Sequence, residues 1–149
     1  MSVKNSACIV MIWILSATSA VAEDAPKKKV QAKEPTLADT RAALGLAVDA
    51  KLFNKPMNLK EVLEILLKEL DKRGKKVRIK VNVDAIKNEF PDEPSIYDTQ
   101  FILKTKSKSL PLGSVLSYAL APACKGNVTF KVRRGIIEIT TLKDAARKN

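Results

Sequence analysis

Residues 58–74 read NLKEVLEILLKELDKRG, and residues 75–83 directly after them read KKVRIKVNV. In the first run Leu59, Val62, Leu63, Leu66, Leu67 and Leu70 recur at the spacing of one helix face. Lys60, Glu64, Lys68, Asp71 and Lys72 fall on the other. Asn58 with Glu61 three residues on is a capping-box start, and Gly74 is a stop. Glu64 and Lys68 add an i,i+4 pair in the favourable order. In the second run the period drops to two. Val77, Ile79, Val81 and Val83 alternate with Lys76, Arg78, Lys80 and Asn82. That alternation predicts a strand with one buried and one solvated face. A leucine-striped helix leading into a half-buried strand is the unit from which an α+β domain is built.

Upstream, Thr36 with Asp39 predicts a capped short helix to about Leu44, stopped by Gly45. Val48, Ala50 and Leu52 alternate and predict a strand over 48–53. Downstream, Asp84 to Lys87 allow one helical turn. Residues 88–98 (NEFPDEPSIYD) hold two prolines and four acids and read as a loop. Residues 100–106 (QFILKTK) predict a strand with Phe101, Leu103 and Thr105 inward. A second helix is expected from Ser109 or Leu110, with Pro111 in its first turn. Leu112, Val115, Leu116, Ala119 and Leu120 form its apolar face, and Pro122 ends it. Residues 128–132 and 136–141 (IIEITT) predict two strands joined at Arg133-Arg134-Gly135, with Gly135 at positive φ.

The expected fold is therefore α+β, in the order β-α-β-β-α-β-β after a short N-terminal helix. The strands are expected in one small mixed or antiparallel sheet, with both amphipathic helices on one face. The other face would gather Lys76, Arg78, Lys80, Lys104, Lys106, Lys131 and Arg133, the expected binding residues. The domain is expected over residues 35–143 with a tail over 144–149, and Leu142 to Asn149 reads as polar and frayed.

The first 22 residues have the layout of a secretory signal peptide. Lys4 is the basic element, residues 7–15 (ACIVMIWIL) are uncharged and apolar, and Ala20-Val21-Ala22 suits cleavage. An uncleaved anchor would need about 20 apolar residues, far more than this run supplies. Residues 23–34 (EDAPKKKVQAKE) read as a disordered basic linker. Localisation is therefore expected to be periplasmic or secreted, with no transmembrane span in the mature chain.

The chain carries 27 Lys and Arg against 16 Asp and Glu, a net charge of +11. Only Lys4 of the cations precedes Ala22, so the mature chain keeps nearly all of that charge. A basic balance suits nucleic acid, but an exported protein does not meet its genome, so no nucleic acid is expected. An envelope protein or an anionic polymer, such as acidic polysaccharide or lipid head groups, fits better. Surface solubility alone also accounts for the charge. Loss of Cys8 with the signal peptide would leave Cys124 without an intramolecular disulfide partner. The reading for it is a buried or semi-buried structural thiol.

There is no histidine. That removes Ser-His-Asp and Cys-His nucleophilic sites and the usual zinc sets. No glycine-rich phosphate loop is present. Asp92, Glu93 and Asp98 keep carboxylate-pair hydrolysis formally open, but they share one loop and not two sides of a cleft. Tyr97 and Tyr118 read as packing residues. No catalytic, cofactor or metal site is expected.

The apolar pattern resembles the short N-terminal domains of secretins and TonB-dependent transducers (STN-like domains). The matching segments are Leu59-Lys60-Glu61-Val62-Leu63 for the first helix, Val81-Asn82-Val83-Asp84 for the strand end, Leu112 to Leu120 for the second helix, and Arg134 to Thr141 for the closing hairpin. The closing hairpin is also similar to uncharacterised exported proteins of planctomycete-type bacteria. The resemblance covers about residues 45–141. It implies a βαβ-type periplasmic interaction module without catalysis. Docking of a protein partner is expected by a sheet edge or by the basic sheet face. With no pore-forming or barrel domain after Asn149, incorporation into a secretin or receptor is not expected.

Overall fold

The computed structural model describes residues 34–147. The expected signal peptide, all but the last residue of the expected linker, and the last two residues of the expected tail lie outside them. Among the described residues the architecture is α+β, as expected.

The first helix, α1 (Leu37–Leu44), starts at a capping box between Thr36 and Asp39. The helix α2 (Leu59–Lys72) has the same device between Asn58 and Glu61. It ends in a Schellman motif: Gly74 N–H donates to the Asp71 carbonyl and Lys75 N–H to that of Leu70. Leu59, Val62, Leu63, Leu66 and Leu70 are buried, so the stripe is core-facing. Each such burial contributes about 1.5–3 kcal/mol. The helix α4 (Leu112–Leu120) buries all five residues of its expected apolar face. It packs against α1 and α2.

Strand β3 (Arg78–Val81) runs parallel to β7 (Ile136–Thr141), which pairs antiparallel with β6 (Val128–Arg133). The order β3-β7-β6 makes a mixed three-stranded sheet. The registers Ile79↔Ile137 and Val81↔Ile139 on one side of β7, and Phe130↔Ile139 on the other, gather these side chains on one face. That face belongs to the same core as the α2 and α4 stripes. Gly135 takes φ 71 at the β6–β7 turn, as expected.

The expectation of one sheet shared by all strands is corrected. Three separate sheets form. Strand β1 (Ala47–Asp49) pairs with β5 (Ser109–Pro111), and β2 (Met57–Asn58) pairs with β4 (Gln100–Phe101). Both ladders keep one register: stepping inward residue by residue from Asp49↔Ser109 arrives at Met57↔Phe101. What breaks them apart is a 3-10 turn over Ala50–Phe53. Asp49 caps that turn through its side chain, which accepts from the Lys51 amide. The expected strands over 48–53 and 100–106 are cut short for this reason. Phe101 and Leu103 still point inward, but Thr105 is exposed.

Four other expectations change. The strand after α2 ends before Val83, because the Asn82 side chain caps α3 (Val83–Glu89) by accepting from Ala85 N–H. The loop that follows contains a short 3-10 turn over Ile96–Asp98 that buries Ile96. Ser109 and Leu110 are in β5, so α4 begins only after Pro111. The tail is not frayed from Leu142: Thr141 caps α5 (Leu142–Ala146) by accepting from Asp144 N–H.

Candidate functional site

The seven expected binding cations separate into two groups. Arg78 and Lys80 on β3 share the polar face of the mixed sheet with Lys131 and Arg133 on β6, and Lys76 lies just before β3. Lys104 and Lys106 are on the loop between β4 and β5, outside the strands of that sheet. The single basic face is therefore replaced by two basic regions.

On the sheet face, Glu138 of β7 sits in register with Lys80 on one side and Lys131 on the other. Arg133 Nε lies 2.8 Å from Glu138 Oε2, and Lys131 Nζ 3.8 Å from Glu138 Oε1. Lys131 Nζ also reaches Asp144 Oδ2 of α5 at 2.7 Å. The Thr140 hydroxyl donates to the same Asp144 oxygen at 2.8 Å. Asn82 Nδ2 donates to Glu138 at 3.3 Å. The bonds from Lys131 and Thr140 hold the Asp144 carboxyl below its ordinary range. Lys131 and Arg133 are thus engaged in tying α5 and the hairpin together. Sequence reasoning missed Glu138 and Asp144. The alternation of IIEITT put Glu138 on the polar side, but only the pairing register brings it between two cationic strands.

Lys76, Arg78 and Lys80 are exposed and form no ion pair among the described residues. Among the described residues strand β3 is an edge strand. Arg78 N–H donates to the Gly135 carbonyl and Asn82 N–H to that of Ile139. Alternation therefore turns the N–H and C=O groups of Ile79 and Val81 away from β7, onto the open edge. At the start of this edge lies a groove of about 610 Å³ whose lining includes Lys75, Lys76, Arg78 and Arg134, with Asp71 and Glu34 as its acids.

The second basic region adjoins an apolar cleft of about 540 Å³ between residues 100–105 and the end of α4. Tyr118, expected to pack inside, is 55% exposed there, and Ile102 is 41% exposed. Tyr97 does pack against the core.

Of the three loop carboxylates, Asp92 and Asp98 are exposed, and Glu93 pairs with Lys125 at 3.3 Å. Cys124 is buried, and burial first, then the Glu93 charge, pushes its thiol up from 9.0. Among the described residues no group of three or more metal-ligating side chains comes together. No helix among them is long and apolar enough to cross a membrane. No family model, curated protein or solved structure matches this chain.

Proposed function

We propose that the chain is a non-catalytic, exported interaction domain of the cell envelope that takes an acidic extended segment of a protein partner along the β3 edge. The observation that carries this reading is the coincidence, among the described residues, of an unpaired strand edge with three cations in no ion pair at Lys76, Arg78 and Lys80. The outward N–H and C=O groups of Ile79 and Val81 supply the main-chain hydrogen bonds of strand addition. The cations supply selection. They repel the same edge of a second, equally basic copy and attract a carboxylate-bearing strand. The STN-like pattern of the sequence supports the same type of module.

The test is affinity capture from an envelope fraction, with the mature chain as bait. Reversing Lys76, Arg78 and Lys80 to Glu should abolish capture and leave the circular dichroism spectrum unchanged. Val81→Pro removes one outward N–H at an edge position where proline is tolerated, and should weaken capture with all charges in place. Capture that survives both changes rejects this edge.

A second reading, binding of an anionic envelope polymer, is favoured by the groove in which Lys75, Lys76, Arg78 and Arg134 converge. Salt separates the two. Polyanion binding through several cations collapses steeply between low and moderate ionic strength. Strand addition keeps its hydrogen bonds, and Val81→Pro leaves polymer binding unaffected.

A further inference from the structure

We infer that the cleft beside β4 is a second peptide-docking site, separate from the β3 edge, for an extended acidic segment carrying one apolar anchor residue. It goes beyond the reading above, shares none of its residues and stands or falls apart from it. Three independent features meet there.

The first is an open strand edge. Leu59 N–H donates to the Thr99 carbonyl, and Leu103 N–H donates to that of Phe53. The odd-numbered residues from 99 to 103 therefore face the chain that carries β2, and the N–H and C=O groups of Gln100 and Ile102 turn outward. Those residues line the cleft.

The second is apolar surface with a concave shape. Phe101, Ile102, Leu103, Leu110, Tyr118 and Pro122 line a space of about 540 Å³, enough for a large side chain and its flanking backbone. Ile102 and Tyr118 are two of the few large apolar residues left exposed among the described residues. A half-exposed tyrosine beside such a hollow is the residue type that anchors binding interfaces.

The third is charge, and it selects the occupant. Among the described residues no acid lines the cleft. Lys104 stands on its rim, and Lys106 and Lys108 follow on the same exposed loop. None of the three lysines is ion-paired among the described residues. The chain's own residues 23–34 set Lys27, Lys28, Lys29 and Lys33 against Glu23, Asp24 and Glu34, so that stretch brings no net negative charge to the site. A second copy of this +11 chain is disfavoured in the same way. Acids flanking an apolar residue match both the rim and the floor.

The probe is a blocked peptide, Asp-Glu-Val-Phe-Val-Glu-Asp, titrated into isotope-labelled protein and followed by amide chemical shifts and hydrogen exchange. The expected result is saturable shifts at Gln100, Ile102, Lys104 and Tyr118, with exchange of the Ile102 amide slowed in the complex. Tyr118→Glu changes an exposed position and should weaken binding roughly tenfold or more. The analogue with every acid replaced by Lys should not bind. The inference is overturned by shifts confined to Ile79 and Val81, by equal binding of the Lys analogue, or by unchanged affinity in Tyr118→Glu. Shifts at the cleft that grow with protein concentration alone would assign it to self-association and also overturn it. Lys76, Arg78 and Lys80 reversed to Glu should leave this titration unaltered, so its failure and that of the β3 edge are told apart.

Discussion

The hydroxyl of Thr40 accepts a hydrogen bond from the Gly135 amide at 2.8 Å, across 95 residues of sequence. Its own proton goes to the Thr36 carbonyl at 2.9 Å. Thr40 is fully buried, so this one side chain fixes α1 to the β6–β7 turn. Thr40→Val keeps the shape and leaves the buried Gly135 N–H without an acceptor, which costs about 1–3 kcal/mol. Thr40→Ser keeps the acceptor and should cost less. Urea unfolding of the two variants checks the order; equal losses would assign the effect to packing.

The Asp144 carboxyl sits below its ordinary value of 3.8, chiefly through its bonds from Lys131 and Thr140. A depressed acid favours the folded state when ionised. Its contribution is complete above that ordinary value and is lost as pH falls through the lower, folded value. Asp144→Asn should therefore be less stable than the native chain at neutral pH. The gap in urea midpoint should narrow as the pH drops below about 4. A gap that stays constant into acid would mean that the Lys131–Asp144 pair contributes no linkage.

Much of the fold was legible because its strongest signals are local. The Asn58–Glu61 box, the leucine stripe and the Gly74 stop depend on residues a turn or two apart, and α2 follows them closely. The short ladders were not legible. Val48, Ala50 and Leu52 alternate like a strand, but the Asp49 side chain turns the backbone into a 3-10 turn after three residues. That competition between a side chain and the ladder is invisible to periodicity. Of the candidate site, Lys76, Arg78 and Lys80 could be read from alternation alone. The engagement of Lys131 and Arg133 could not, since it depends on register against Glu138 and on a capped last helix that brings in Asp144.

Cys124 is buried, with its thiol pushed up by burial and then by the Glu93 charge. The thiolate is the reactive form, so little of it is present at neutral pH. Alkylation by iodoacetamide should be much slower in the native protein than in guanidinium. It should rise with pH later than for a free thiol. Glu93→Gln removes the smaller cause and should shift that rise only modestly toward lower pH. Native alkylation as fast as that of the unfolded chain would contradict the burial of this side chain.

Gly74 and Gly135 both take the left-handed backbone, at φ 64 and φ 71, and differ in what a methyl group would meet. At Gly74 a Cβ has nothing within 4 Å. Gly74→Ala therefore reports the backbone penalty alone, about 1–2 kcal/mol. At Gly135 a Cβ would stand 2.8 Å from Pro35 Cγ, closer than carbon atoms pack. The proline cannot retreat freely, because the adjoining α1 is held to this same turn by Thr40. Gly135→Ala should cost more than Gly74→Ala, and the excess should come from the proline. Pro35→Ala combined with Gly135→Ala should recover that excess and leave the backbone penalty, whereas Pro35→Ala should give no such recovery with Gly74→Ala. A double-mutant cycle in urea measures the coupling. Additive losses at positions 35 and 135 would mean that the turn and the start of α1 do not touch in solution.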